Sequence, residues 1–390
     1  MKKKIVIKPR ILIYFFSSLL LIQPPYLNMI SFVDNYFYDL FVPIIFVVLI
    51  LKTFLKRYWN KMLLLIFLFY SIISLSTLIN GGDLPNILRT FLQVFSLCLF
   101  INYGVKRDGI TFIEVVGKVF FIYSLLNLFS IFFFPKGLYG FDSIEHSWFL
   151  GHKNMMIKFL MPGMLFVVSQ DIINKNKLSL KSIFYIAIVY VSIMLTKSST
   201  SIVVLFIFFM CFFFLSKKKD IISITNFNGS IVLNILFFIF FVIYRFQDKF
   251  SYIIEVVLKK NLNFTGRTSL WNNIIKYIME KPFLGYGVSD IDVMLNRLQY
   301  TNVSSHNLVA DYLYEGGIIC IIILGFIIIS AYQKLSQYKS INNLLVNFIN
   351  ILFFSFSFVF LTESFVGINF GFILCIIVFC YNISFLSKKI

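Results

Sequence analysis

Apolar runs separated by short polar connections fill most of the chain. They cover roughly 11–22, 37–51, 62–79, 86–103, 111–134, 155–169, 180–196, 199–215, 230–244, 308–332, 344–361 and 365–386. Each is long enough, or nearly so, to cross a bilayer as a helix. The pattern predicts an all-α integral membrane protein, a polytopic bundle of about twelve transmembrane helices with one long extracytoplasmic loop that contains short helices. Basic residues fill Met1 to Arg10, and the first apolar run ends at Gln23-Pro24-Pro25 without a small-residue cleavage site. That predicts a retained first helix, not a removed signal peptide.

One long polar interval breaks the pattern, from Asn263 to Gly317. Thr265 can cap a helix whose apolar positions Leu270, Trp271, Ile274, Ile275 and Ile278 form a single stripe. Pro282 would end that helix, and Gly285 and Gly287 would turn the chain. Arg267 falls in its first turn. Ser304 or Ser305 can cap a second helix, placing His306 and Asn307 at its amino end, where unpaired N–H groups and the helix dipole favour an anion.

Composition narrows the class further. With 59% hydrophobic and 13% charged residues and a mean hydropathy of +0.88, the chain is too apolar for a soluble fold. The net charge of +18 would suggest nucleic acid in a soluble protein. Here the basic residues sit beside apolar runs, as cytoplasmic anchors do, so no nucleic-acid partner is expected and membrane lipids are. With the amino terminus inside, the inner connections and the two ends hold 21 Lys and Arg, whereas the short outer loops hold only Arg89, Lys136, Lys153 and Lys197. Both termini are therefore expected in the cytoplasm and the region 245–306 outside. Cys98, Cys211, Cys320, Cys375 and Cys380 all fall in apolar runs without metal spacing, so neither disulfides nor zinc is implied.

The polar interval also carries a resemblance. Gly266-Arg267 with Trp271, then Pro282 with Gly285-Tyr286-Gly287, then His306-Asn307 with Glu315-Gly316, resemble the signature of the O-antigen ligase and Wzy-type polysaccharide polymerase superfamily. Leu195-Thr196 with Ser198 and Thr200 is similar to the start of the same domain. The family commonly has an arginine where Ser199 stands here, and Lys197 is the nearby positive charge. The resemblance divides the chain into N-terminal transmembrane helices (1–184), a catalytic region (185–335) that includes the outer loop, and C-terminal transmembrane helices (336–390). It implies a bacterial cytoplasmic-membrane enzyme, using no cofactor and no metal, that polymerises oligosaccharide repeat units linked to undecaprenyl pyrophosphate. A flippase and a chain-length regulator are partners of the kind it implies. A ligase that moves finished glycan to another acceptor shares the signature. A glycan-lipid flippase is the rival from outside enzymology, yet the chain shows no internal repeat.

Breaking a sugar–pyrophosphate bond needs positive groups at the leaving group, and the guanidinium fork matches phosphate oxygens. The attacking hydroxyl needs a base, for which His is the usual side chain. The expected catalytic pair is therefore Arg267 and His306. Substrate contacts are expected from Lys197, Lys153, His152, Asn307, Trp271 and Glu315. Each has a plainer reading: Arg267 could anchor its helix to headgroups, His306 could brace the loop, and Glu315 could be structural. A second outer cluster contains Asp142, Glu145, His146 and Trp148, followed by Gly151-His152-Lys153-Asn154. There Asn154 could be only a helix cap, and Trp148 and His152 ordinary interfacial residues. Within the apolar runs, Glu114, Lys118 and Lys158 are costly unless paired or facing a cavity, and Glu363 stands without an assigned role.

Overall fold

The structure is a computed structural model, described here for residues 9–140, 146–215, 225–246, 267–299 and 304–389. Thr265 and Gly266, the basic residues before Pro9, Lys217 to Lys219, Asp142 and Glu145 lie outside the described residues. Helices account for nearly all the regular structure: α1 (Pro9–Leu21), α2 (Pro25–Asn28), α3 (Asp39–Leu55), α4 (Lys61–Ile79), α5 (Leu84–Phe133), α6 (Met156–Lys175), α7 (Leu180–Thr196) and α8 (Ser199–Phe209). They continue with α9 (Phe227–Phe237), α10 (Arg267–Glu280), α11 (Ile291–Leu298), α12 (Leu308–Gln337), α13 (Asn343–Phe356) and α14 (Asn369–Tyr381). A two-residue hairpin, β1 (Ser147–Trp148) with β2 (Gly151–His152), is the small departure from an all-helical chain.

Every apolar run of the sequence falls on one of these helices, and the protein is an all-α membrane protein. Among the described residues, five helical segments are long and apolar enough to cross a bilayer: Lys61–Ile79, Leu84–Phe133, Met156–Lys175, Leu308–Ser340 and Asn343–Leu361. The outer surface of the bundle is greasy: Leu55, Phe133, Leu180 and Phe206 are largely exposed. A water-soluble surface does not present so much apolar area in contiguous bands, whereas lipid tails accept it.

Two breaks in the helices shape the bundle. Asp108 has a non-helical φ of −155° and ψ of 67° inside α5. The rings of Phe100 and Phe112 lie 5.0 Å apart, although a straight helix would separate them by about 18 Å along its axis. The chain therefore doubles back at Asp108, giving the two passes that the runs 86–103 and 111–134 predict. This pair forms the centre of the bundle, packing against α1, α3, α4, α6, α7 and α14.

The second break corrects the expectation of one continuous helix over 308–332. Gly317 has φ 63° and ψ −165°, which divides α12 into a short first part and a long apolar part. The segment 282–287 docks against this break through its backbone: Ile318 N donates to Pro282 O at 2.8 Å, Tyr286 N to Tyr314 O at 2.6 Å and Gly287 N to Glu315 O at 3.0 Å. A Cβ on Gly317 would lie 2.1 Å from Phe283 O, and one on Gly285 2.3 Å from Tyr314 O. Both glycines also have positive φ, so close approach and backbone hand together require them.

The predicted apolar stripe of α10 is buried: Leu270, Trp271, Ile274 and Ile278 join Phe238, Val242, Met294, Leu298 and Tyr314 in a second, smaller core. This core fixes α10 and α11 against α12 at one end of the bundle.

Candidate active site

Five connections converge at that end: the hairpin before α6, the α7–α8 turn, the start of α10, the turn before α12, and the loop between α13 and α14. Between them lies a cavity of about 760 Å³, lined by residues that include His152, Lys153, Asn154, Lys158, Lys197, Thr200, Arg267, His306 and Glu363. Among the described residues, helices α6, α8, α10, α12 and α14 begin beside it, so their positive dipole ends add to the charge of the lysines. Among the described residues, four cationic side chains line the cavity against a single carboxylate, Glu363.

Glu363 is the hub. Its side chain is 6% exposed and accepts from Arg267 Nη2 at 2.9 Å, from Asn154 Nδ2 at 3.1 Å and from Thr200 Oγ1 at 3.5 Å. Its other oxygen faces His306 Nδ1 at 3.8 Å, an ion-pair distance that is too long for a hydrogen bond. Burial opposes its charge, but His306, Arg267 and Lys158 outweigh burial and hold its carboxyl below the ordinary glutamate range. Lys158 is buried, donates to Ser364 O and lies 4.7 Å from the centre of the Phe365 ring. The side chains of Lys153 and Lys197 make no hydrogen bond or ion pair among the described residues and remain available to an anion. Lys197 ends α7 in a left-handed conformation, φ 51°, and Ser198 then caps α8 by accepting from Ser201 N.

The turn that carries His306 differs from expectation. Asn307, not Ser304 or Ser305, caps α12: its Oδ1 accepts from Ala310 N at 3.0 Å and its Nδ2 donates to Leu361 O at 3.1 Å. Ser305 is diverted because its N–H and hydroxyl both donate to Asp311 Oδ1, at 2.7 and 2.6 Å. His306 thus precedes the cap, with φ 54°, and points into the cavity instead of lying within the first turn.

The expected site residues fall into two groups. Arg267, His306, Lys197, Lys153 and His152 line one cavity together, and Glu363 and Lys158 join them. Trp271, Asn307 and Glu315 are not among its lining residues. Trp271 is 1% exposed and donates from its indole nitrogen to Ser305 O at 3.0 Å, so it braces the His306 turn from behind. Asn307 is buried as the cap, and Glu315 lines a different, smaller cavity. Asn154 is no helix cap: it accepts from Ser198 Oγ at 2.8 Å while donating to Glu363, tying the hairpin to the α7–α8 turn. Trp148 is buried and donates to Phe134 O at 2.8 Å, which removes it from the interface. Glu114 and Lys118 satisfy each other at 2.7 Å.

The sequence signal for Glu363 is only a lone carboxylate at the outer end of the apolar run 344–361. Which partners it would meet was not readable. Chemically, the arrangement offers a positive, roomy basin for a phosphate-bearing group. It also supplies an imidazole whose protonated form a carboxylate would stabilise.

The fold and the site together define a polytopic helical membrane protein with a cation-lined cavity at one end of its bundle. Residues 184–325, about a third of the chain, match the model of the O-antigen ligase family. The matched segment contains Lys197, Arg267 and His306, while His152, Lys153 and Glu363 lie outside it. No curated protein and no solved structure matches the chain significantly.

Proposed function

We propose that the protein is a polysaccharide polymerase that joins oligosaccharide repeat units carried on undecaprenyl pyrophosphate at the outer face of the bacterial cytoplasmic membrane. The observation that carries this reading is the convergence of Arg267, Lys153, Lys158 and Lys197 with the His306–Glu363 pair around one 760 Å³ cavity. Arg267 and the lysines hold the donor pyrophosphate and neutralise charge that grows on it as the glycosidic C–O bond breaks. His306 takes the proton from the attacking acceptor hydroxyl, and Glu363 steadies the imidazolium that results. The new bond joins the acceptor oxygen to the donor's anomeric carbon, and undecaprenyl pyrophosphate leaves.

The outward placement is supported by charge at the opposite end of the bundle. Lys61, Lys175, Lys181 and Lys334 stand at the helix ends away from the cavity, where the positive-inside rule puts cytoplasm. Both termini are then cytoplasmic. The test is purified protein in lipid with a synthetic undecaprenyl-pyrophosphate repeat unit. A ladder of products, each one repeat longer and still bearing lipid pyrophosphate, supports polymerisation. Transfer only to an added acceptor of another kind would make the protein a ligase, and no transfer at all would overturn both.

A further inference from the structure

A second cavity, of about 160 Å³, adjoins the first: Val366 lines both. Its ionisable lining is acidic instead of basic. Asp311 and Glu315, one turn apart in the first part of α12, line it with Tyr70, Asn86, Thr90 and Ser289, and among the described residues no lysine or arginine does. Its polar groups are poorly satisfied. Asp311 is 3% exposed, and although Oδ1 is occupied by Ser305, Oδ2 has no hydrogen-bond partner among the described residues. The Tyr70 hydroxyl is buried and equally without a partner. Glu315 makes no side-chain hydrogen bond or ion pair among the described residues. Buried atoms left this way, Asp311 Oδ2 and the Tyr70 hydroxyl, cost about 1–3 kcal/mol each.

Such a cavity rejects phosphate and carboxylate and welcomes a ligand rich in hydrogen-bond donors. Tyr312 and Tyr314 add aromatic surface, and the volume suits a single sugar ring. Asp311 also anchors the turn that carries His306, so a ring held here lies beside the proposed base. We propose that this cavity is the acceptor subsite, binding a non-anionic sugar ring through Asp311, Glu315 and the Tyr70 hydroxyl. The assignment rests on the transferase reading, and it divides the site in two: a cationic basin for the donor pyrophosphate and an acidic pocket for the acceptor sugar.

The test is saturation-transfer NMR on the full-length detergent-solubilised protein with methyl glycosides of glucose, galactose, mannose, glucosamine and glucuronic acid. At least one neutral glycoside should bind, the cationic glucosaminide should bind no more weakly than the glucoside, and the glucuronide should not bind. Glu315→Gln and Tyr70→Phe, both nearly isosteric, should each weaken binding by about tenfold. Asn86→Trp, at the exposed rim, should abolish it, whereas Arg267→Ala should leave it unchanged. Equal binding of the glucuronide, no binding by any neutral glycoside, or binding indifferent to Asn86→Trp would overturn the assignment. Failure of the transferase reading shows separately, as undiminished sugar binding by a protein that transfers nothing.

Discussion

Replacing Glu363 by Gln removes a charge while keeping the shape and one acceptor oxygen. In the protein that charge lies 2.9 Å from Arg267 Nη2 and 3.8 Å from His306 Nδ1, on a side chain only 6% exposed. Two unit charges about 4 Å apart attract by roughly 4 kcal/mol at an effective dielectric of about 20. That is the gross stabilisation available to an imidazolium forming at His306. At about 1.4 kcal/mol per tenfold in rate it sets a ceiling near 10³, and partial desolvation lowers the expected loss to about 10²–10³ in turnover. The donor should bind no worse, because Arg267 is released toward the pyrophosphate. The assay is steady-state release of undecaprenyl pyrophosphate by reconstituted protein, with donor binding measured separately. Wild-type turnover in the variant, or a loss confined to donor binding, would refute the reasoning.

The same variant has a pH signature. Because the folded carboxyl titrates below its ordinary 4.5, the stability it confers is complete above that value and is lost as pH falls through the lower folded one. The melting-temperature gap between wild type and Glu363→Gln should therefore be widest near neutrality and close on acidification below 4.5.

Three further outcomes follow from the geometry. His306→Gln should lose about 10²–10⁴ in turnover with donor binding intact; near-normal turnover would end its assignment as base and shift it to His152, on the same cavity. Gly317→Ala should cost about 1–3 kcal/mol from its left-handed backbone alone and push against Phe283 O, so a thermal melt equal to wild type would contradict the clasp between 282–287 and α12. In whole cells, a cysteine at exposed Asp290 should react with an impermeant reagent and one at exposed Ser336 should not; the reverse would sink the orientation and the outer-face chemistry together.

Much of this architecture is legible in the chain because lipid imposes a simple rule: a spanning segment must be apolar and helical, so hydropathy marks it. The turn at Asp108 is legible for the same reason, since Lys106, Arg107 and Asp108 interrupt an apolar stretch. Gly317 leaves no such mark. Two glycines inside an apolar run barely change its hydropathy, and the break becomes necessary only when the backbone of 282–287 lies across it. Arg267 and His306 could be singled out as polar groups displayed at helix starts. Their partner Glu363 could be noticed but not joined to them, because the pairing is made where the connection between α13 and α14 docks on the turn before α12. Trp271 and Asn307 look like ligand contacts in sequence, where an indole and an amide are equally suited to sugar and to backbone; here the indole nitrogen is spent on Ser305 O and the amide on Leu361 O.

The central claim is that one guanidinium at this cavity grips the pyrophosphate of a lipid-linked glycan during transfer. The most direct measurement compares wild type, Arg267→Ala and Arg267→Lys, at equal abundance in lipid, for formation of the repeat-unit ladder from a synthetic undecaprenyl-pyrophosphate repeat. The account predicts no ladder from Arg267→Ala and a severe loss from Arg267→Lys, because an ammonium cannot reproduce the fork's paired contact with phosphate oxygens. A full ladder from Arg267→Ala would contradict it.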